Sequence, residues 1–173
     1  HAVGFDLYMR WLEETVQSLR GKGGVEDPAP PEVVLDSPAR LPDSYVADDE
    51  SKLDIYRRLA RAGSSGDIQG LGVELRERFG PLPPEAETLL NLSRLRAVGA
   101  RLGLQHVVAR GDEARLTFRA GTAPRMAGLA AALDDVQLAA DVRRTVPLSL
   151  RLTRLGGEAL LPALVRALEM VRA

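Results

Sequence analysis

Near Gly103 the spacing of apolar residues changes, and that change restricts the chain to folds that combine helices with strands. Up to Arg101 apolar side chains recur every three or four residues, the period of a helix with one buried face. From His106 onward they alternate, the period of a strand with one buried face. Gly4 to Leu19 carries Phe5, Tyr8, Met9, Leu12, Val16 and Leu19 at helical spacing. A second helix, capped by Asp48 or Asp49, has Leu53, Ile55, Tyr56 and Leu59 as its apolar set and ends near Gly63. A third, roughly Asp67 to Phe79, has the narrow stripe Ile68, Leu71, Leu75 and Phe79. The fourth opens on "GPLPPEAETLL", with proline in its first turn and Glu85 and Glu87 at the positive end of its dipole, and closes with Arg101 and Gly103.

Beyond the change of period, His106 to Ala109, the turn "RGDE" and "ARLTFR" predict a β-hairpin in which Leu116 and Phe118 face away from Arg115, Thr117 and Arg119. A short helix over Arg125 to Leu133 follows. Alternation at Val136, Leu138, Ala140 and Val142, and again at Leu148, Leu150 and Leu152, predicts a second strand pair. The final helix, with Leu160, Leu161, Leu164, Val165, Leu168 and Val171, needs a sheet or another helix to lie on. The fold class is therefore α+β: a helical N-terminal half, then a small, mainly antiparallel sheet with covering helices. Earlier in the chain, Val33 to Leu35 is a short extended segment that the prolines after it bar from the middle of a sheet.

The domain plan divides at "GKGGVEDPAPP". Residues 1–20 form an entry helix, 21–31 a linker rich in breaker residues, and 32–173 one domain. Leu7 and Trp11 form a second ridge on the entry helix, four residues apart and off its main stripe. They either join this domain's own core or cover a neighbouring domain. The helical pattern is already running at His1, so the chain reads as a piece of a longer protein.

Few function classes survive the composition. With no cysteine there is no disulfide framework, thiolate-zinc site or cysteine nucleophile, and the cytoplasm is the expected compartment. A formal net charge of −1 does not suit a wholesale binder of nucleic acid or anionic membrane, and no apolar run is long enough to span a bilayer. Of the two histidines, His1 stands at the chain end and His106 opens a strand, so neither has metal or acid–base partners at useful spacing. "GSSG" and "GKGG" lack the strand and the lysine of a phosphate-cradling loop, and no serine lies in a "GxSxG" setting. No catalytic residue, metal site or cofactor is expected.

Two charged features remain. Glu74 and Glu77 project about 105° and 165° from the centre of the third helix's stripe, away from the core. Asp67 shares the flank of Glu74, and Gly70 leaves bare backbone beside it. Taken alone these acids are either a solvated face or a contact. The second feature is a run of arginines, Arg94, Arg96, Arg101, Arg110, Arg115 and Arg119, which either touches phosphate or is simply solvated. No aromatic residues are interleaved with it to stack bases.

The blocks "VGFDLYMRWLEE", "LPDSYVADDESKLDIYRRLA" and "VELRERFGPLPPEAETLLNLSRLRAVGARLGL" resemble the C-terminal domain of the bacterial transcription-repair coupling factors, the Mfd translocase family. The resemblance runs in ordered blocks through about residues 3 to 104. It implies a parent protein that translocates on double-stranded DNA with ATP, displaces stalled RNA polymerase and recruits the excision nuclease through UvrA. It further implies that this domain is not catalytic: it docks on the N-terminal UvrB-like module of the same protein, covers the surface UvrA would use and holds the factor autoinhibited. UvrA and RNA polymerase are then indirect partners, and neither membrane contact nor direct DNA binding is expected. By the same resemblance the contact uses Glu74 and Glu77, with Asp67 beside them, against arginines of the UvrB-like module, while Leu7 and Trp11 face the motor. Gly70 and Gly72 stand where the family usually has a helix former. The competing readings are a nucleic-acid contact through the Arg94–Arg119 cluster and a purely structural C-terminal module.

Overall fold

Asp48 and Ser64 start the first two described helices in the same way, by turning a short polar side chain back onto the new helix's free amides. Asp48 accepts from the Ser51 amide at 2.8 Å and opens α1 (Asp49–Arg61), and Ser64 Oγ accepts from the Asp67 amide at 3.2 Å and opens α2 (Ser65–Phe79). The computed structural model of the protein describes residues 28–122 and 124–172. The entry helix expected over residues 1–20, with Leu7 and Trp11, and most of the linker lie outside the described residues. Those that are described form two units: Ser37–Ser93, and Pro28–Asp36 together with the chain from Arg94 onward. The helix α3 (Pro84–Arg101) is divided between them at Ser93 and Arg94.

The first unit is helical. Ile55, Tyr56 and Leu59 of α1, Ile68, Leu71 and Leu75 of α2, and Ala86 and Leu89 at the start of α3 are buried. Two tyrosines tie the irregular segment before α1 to these helices. Tyr56 Oη accepts from the Leu41 amide at 2.9 Å, and Tyr45 Oη lies 3.0 Å from the Leu75 carbonyl and 2.8 Å from that of Gly80, to which its hydroxyl donates. Tyr45 thus ties the last turn of α2 to Gly80, whose φ of 88° ends the helix.

The second unit is a five-stranded mixed sheet in the order β1-β2-β3-β5-β4, built from β1 (Glu32–Leu35), β2 (Leu104–Arg110), β3 (Glu113–Phe118), β4 (Leu138–Arg143) and β5 (Ser149–Arg154). Strand β1 pairs parallel with β2, and the other three pairings are antiparallel. The short extended segment thus becomes an edge strand, where the proline after it removes no ladder bond. The expected hairpin forms, and the Gly111 amide at its turn donates to Asp36 Oδ2 at 2.7 Å, fixing the end of β1 to it. One face of the sheet is apolar: Leu104, Val107, Ala109, Ala114, Leu116, Phe118, Leu150 and Leu152 share one buried cluster with α4 (Met126–Asp135), α5 (Leu160–Met170) and the end of α3. The second strand pair also forms, although β4 buries only Leu138; Ala140 and Val142 continue the alternation on an edge strand and stay exposed.

An acidic outer face on the second helix

The sequence directs Glu74 and Glu77 outward, and α2 places them so. Glu77 is exposed, whereas Glu74 is half-buried because Arg58 reaches it from α1. Arg58 donates Nη1 to Oε1 at 2.7 Å and Nη2 to Oε2 at 2.6 Å, a two-pronged pair, and Arg78 Nη1 adds a bond to Oε1 at 3.2 Å. These bonds, Arg58 first, hold the Glu74 carboxyl at a pKa of about 2, against the opposing effect of partial burial. The Arg58 guanidinium has its pKa raised by the same contact. Arg78 in turn lies over the Phe79 ring, 4.9 Å from its centroid. Glu74 is therefore fixed in direction by its own unit before any partner arrives.

Asp67 sits three residues after the cap and takes part in it, accepting from Ser64 Oγ at 2.8 Å. It is exposed at the start of α2 on the flank of Glu74. Between the exposed Gln69 and Arg76 on one side and Glu74 on the other, one strip of the outer face is nearly bare. Gly70 has open space where a side chain would stand, and Val73 is 49% exposed. Gly66, Gly70, Val73 and Glu77 follow one another at spacings of four, three and four, so they line one stripe. A partner can approach this backbone closely and meet an apolar contact and a free carboxylate together. Gly72 differs from Gly70. It is buried, and a Cβ there would stand 3.1 Å from Leu90 Cδ1 of α3.

Two residues that shape this face, Arg58 of α1 and Val73, carry no signal in the sequence. Arg58 is 16 residues from Glu74, on a different helix, and nothing in its own spacing points to that partner. The exposure of Val73 follows from the position of the stripe, but one valine among charged residues carries no message without the bare glycine beside it.

The arginine run does not make one basic surface. Arg94 is paired through Nε and Nη2 with Glu169 of α5, at 2.9 and 2.6 Å. Arg101 donates to the Val171 carbonyl at 2.9 Å, and Arg115 stands in β3 opposite Arg151 and Val108 on the sheet's outer face. Burial lowers the pKa of Arg96. His106 is exposed, with Nδ1 3.5 Å from Glu32 across the β1–β2 pair. Among the described residues no group of three or more histidine, aspartate and glutamate side chains could hold a metal, and no helix is long and apolar enough to cross a membrane.

A family model described as the TRCF domain matches residues 35–129, a stretch that contains α1, α2, α3 and the hairpin. The transcription-repair-coupling factor of Escherichia coli (strain K12) is 38% identical over 107 residues, covering 60% of this chain and 9% of that protein. That of Myxococcus xanthus is 33% identical over 138 residues, covering 73% of this chain and 11% of its own. This chain spans about a tenth of the length of the curated relatives it matches. A solved structure described as the crystal structure of the C-terminal domain of transcription-repair coupling factor has the same fold, with a TM-score of 0.71 at 20% identity over 85% of this chain and 92% of that one.

Proposed function

Because the chain belongs to the transcription-repair coupling factor family, we propose that residues 32–173 are a non-catalytic regulatory region of such a factor and dock through α2 on the UvrB-like module of the same protein. Docked there, the region covers the surface that UvrA uses and keeps the factor autoinhibited until RNA polymerase or DNA engagement releases it. The parent protein supplies the ATP-driven movement on DNA in the bacterial cytoplasm, and this region needs no cofactor. Residues 1–20, with Leu7 and Trp11, join it to the motor through the 21–31 linker.

The observation that carries this reading is the outer face of α2. An exposed carboxylate at Glu77 and a half-exposed valine at Val73 stand beside a second carboxylate, Glu74, whose direction Arg58 and Arg78 fix. Glu74 already accepts three bonds, so an incoming arginine shares it, whereas Glu77 is open to a two-pronged contact. Each partly desolvated pair contributes about 1–3 kcal/mol, and a few of them make a latch that differential binding of a few kcal/mol can open. Such a latch weakens with salt.

Titration of this chain into the isolated UvrB-like module at low and moderate salt tests the reading. Salt-sensitive binding that Glu77→Arg abolishes is expected. Equal binding by the variant, or binding indifferent to salt, refutes the assignment to α2.

A further inference from the structure

In the second unit a cleft of about 510 Å³ opens where the end of α3 meets the segment after β3, and four arginines line it: Arg101, Arg119, Arg125 and Arg172. Among the described residues, no aspartate or glutamate lines it. Elsewhere in the unit arginines are matched by acids, as Arg94 is by Glu169, Arg151 by Glu113, Arg154 by Asp112 and Arg166 by Glu158. Among the described residues, no carboxylate pairs with any of the four in the cleft. Two of them are anchored by backbone carbonyls: Arg101 by Val171 and Leu168, at 2.9 and 3.5 Å, and Arg119 by Ala29 at 3.0 Å. A guanidinium has five N–H donors, so both keep donors for a ligand. Arg125 and Arg172 are exposed.

The floor between them is fixed. The Arg119 amide donates to the Gly103 carbonyl at 2.8 Å, and Thr122 Oγ1 donates to the Arg119 carbonyl at 2.8 Å. Gly103 has φ of 73°, and a side chain there would meet Thr122 at 2.4 Å, so only glycine closes this corner. Leu102 and Pro124 make part of the wall apolar, and among the described residues no aromatic ring lines the cleft.

From this arrangement we propose that the cleft binds an acidic peptide segment of a partner protein that carries an apolar side chain beside its carboxylates. Unpaired guanidiniums on a rigid floor bind oxyanions in fixed geometry. The volume suits several side chains rather than one ion, and the apolar wall would be wasted on a phosphate backbone. Without an aromatic platform there is nothing for bases to stack on. The proposal concerns a face other than that of α2 and stands whether or not α2 docks.

Fluorescence anisotropy of this 173-residue chain with a labelled decapeptide of alternating glutamate and leucine tests it. The comparison ligands are the glutamine–leucine peptide, a labelled ten-nucleotide single strand and inorganic phosphate as competitor. The acidic peptide is expected to bind, and Arg125→Glu and Arg172→Glu are each expected to weaken it about tenfold. Arg143→Glu, on the exposed edge strand, leaves binding unchanged. Circular dichroism melts check that each variant is folded. The proposal is overturned if the acidic and neutral peptides bind alike, if the oligonucleotide binds and the peptide does not, or if phosphate alone accounts for the site. It is also overturned if folded Arg125→Glu and Arg172→Glu proteins bind the peptide as the parent chain does.

Discussion

At Glu74 the protein spends a carboxylate on its own structure and on orientation at once. Its pKa of about 2, against an ordinary value of 4.5, means that the Arg58–Glu74 pair contributes its stability fully above pH 4.5. That contribution fades as pH falls from there toward 2. Both side chains are substantially exposed, at 43% and 33%, so the pair contributes only about 0.5–1 kcal/mol. Glu74→Gln should therefore lower stability by about that amount at pH 7 and leave it unchanged near pH 2, which urea denaturation at the two pH values measures. Glu77→Gln, at an exposed position, should leave stability at pH 7 unchanged. The sequence makes the outward direction of both acids readable, since direction follows from the angle to the stripe. It does not make Arg58 readable, because a contact between two helices depends on how they pack and not on the spacing within either. The arginine run failed as a unit for the same reason. Proximity along the chain became a salt bridge at Arg94, a carbonyl contact at Arg101 and a strand face at Arg115.

Among the elements, α2 is the one whose propensity and role pull apart. Gly70 and Gly72 each lower its intrinsic stability by roughly 1 kcal/mol relative to alanine. At Gly70 a methyl group meets nothing, so Gly70→Ala should stabilise the protein by about that amount. At Gly72 it meets Leu90 at 3.1 Å, and Gly72→Ala should gain none of it. Equal thermal shifts for the two would contradict this account of the helix. In the sheet, Phe118 is fully buried at the centre of the cluster, and Phe118→Ala should cost about 3–5 kcal/mol, read as a lowered denaturation midpoint. The elements themselves were largely legible. Proline and acids at one end and glycine at the other mark α3, and the change of period at Gly103 marks the start of the sheet. What was not legible is the sheet's order. That β1 lies parallel to β2, and that β5 sits between β3 and β4, are pairings between segments distant in sequence, which alternation within one strand does not encode. The pattern also overstates β4, whose alternation continues past Leu138 although nothing buries it.

On the scale of the whole molecule, a helical unit with an acidic outer face belongs to a chain whose match covers only 9% of the Escherichia coli coupling factor. In the proposed docking the outer face of α2 is the latch and the open space at Gly70 permits close approach, so Gly70→Arg, which places a bulky cation on that face, should weaken docking without unfolding the helix. Equilibrium binding to the UvrB-like module at two salt concentrations would measure it, with at least a tenfold loss expected at the lower one. The central claim, that this region masks the UvrA surface, is tested most directly by capture of UvrA on the full-length factor carrying Glu77→Arg, beside the unaltered protein. The account predicts that UvrA binding rises severalfold in the variant. UvrA binding that is the same in both, with the variant shown to be folded, would contradict it.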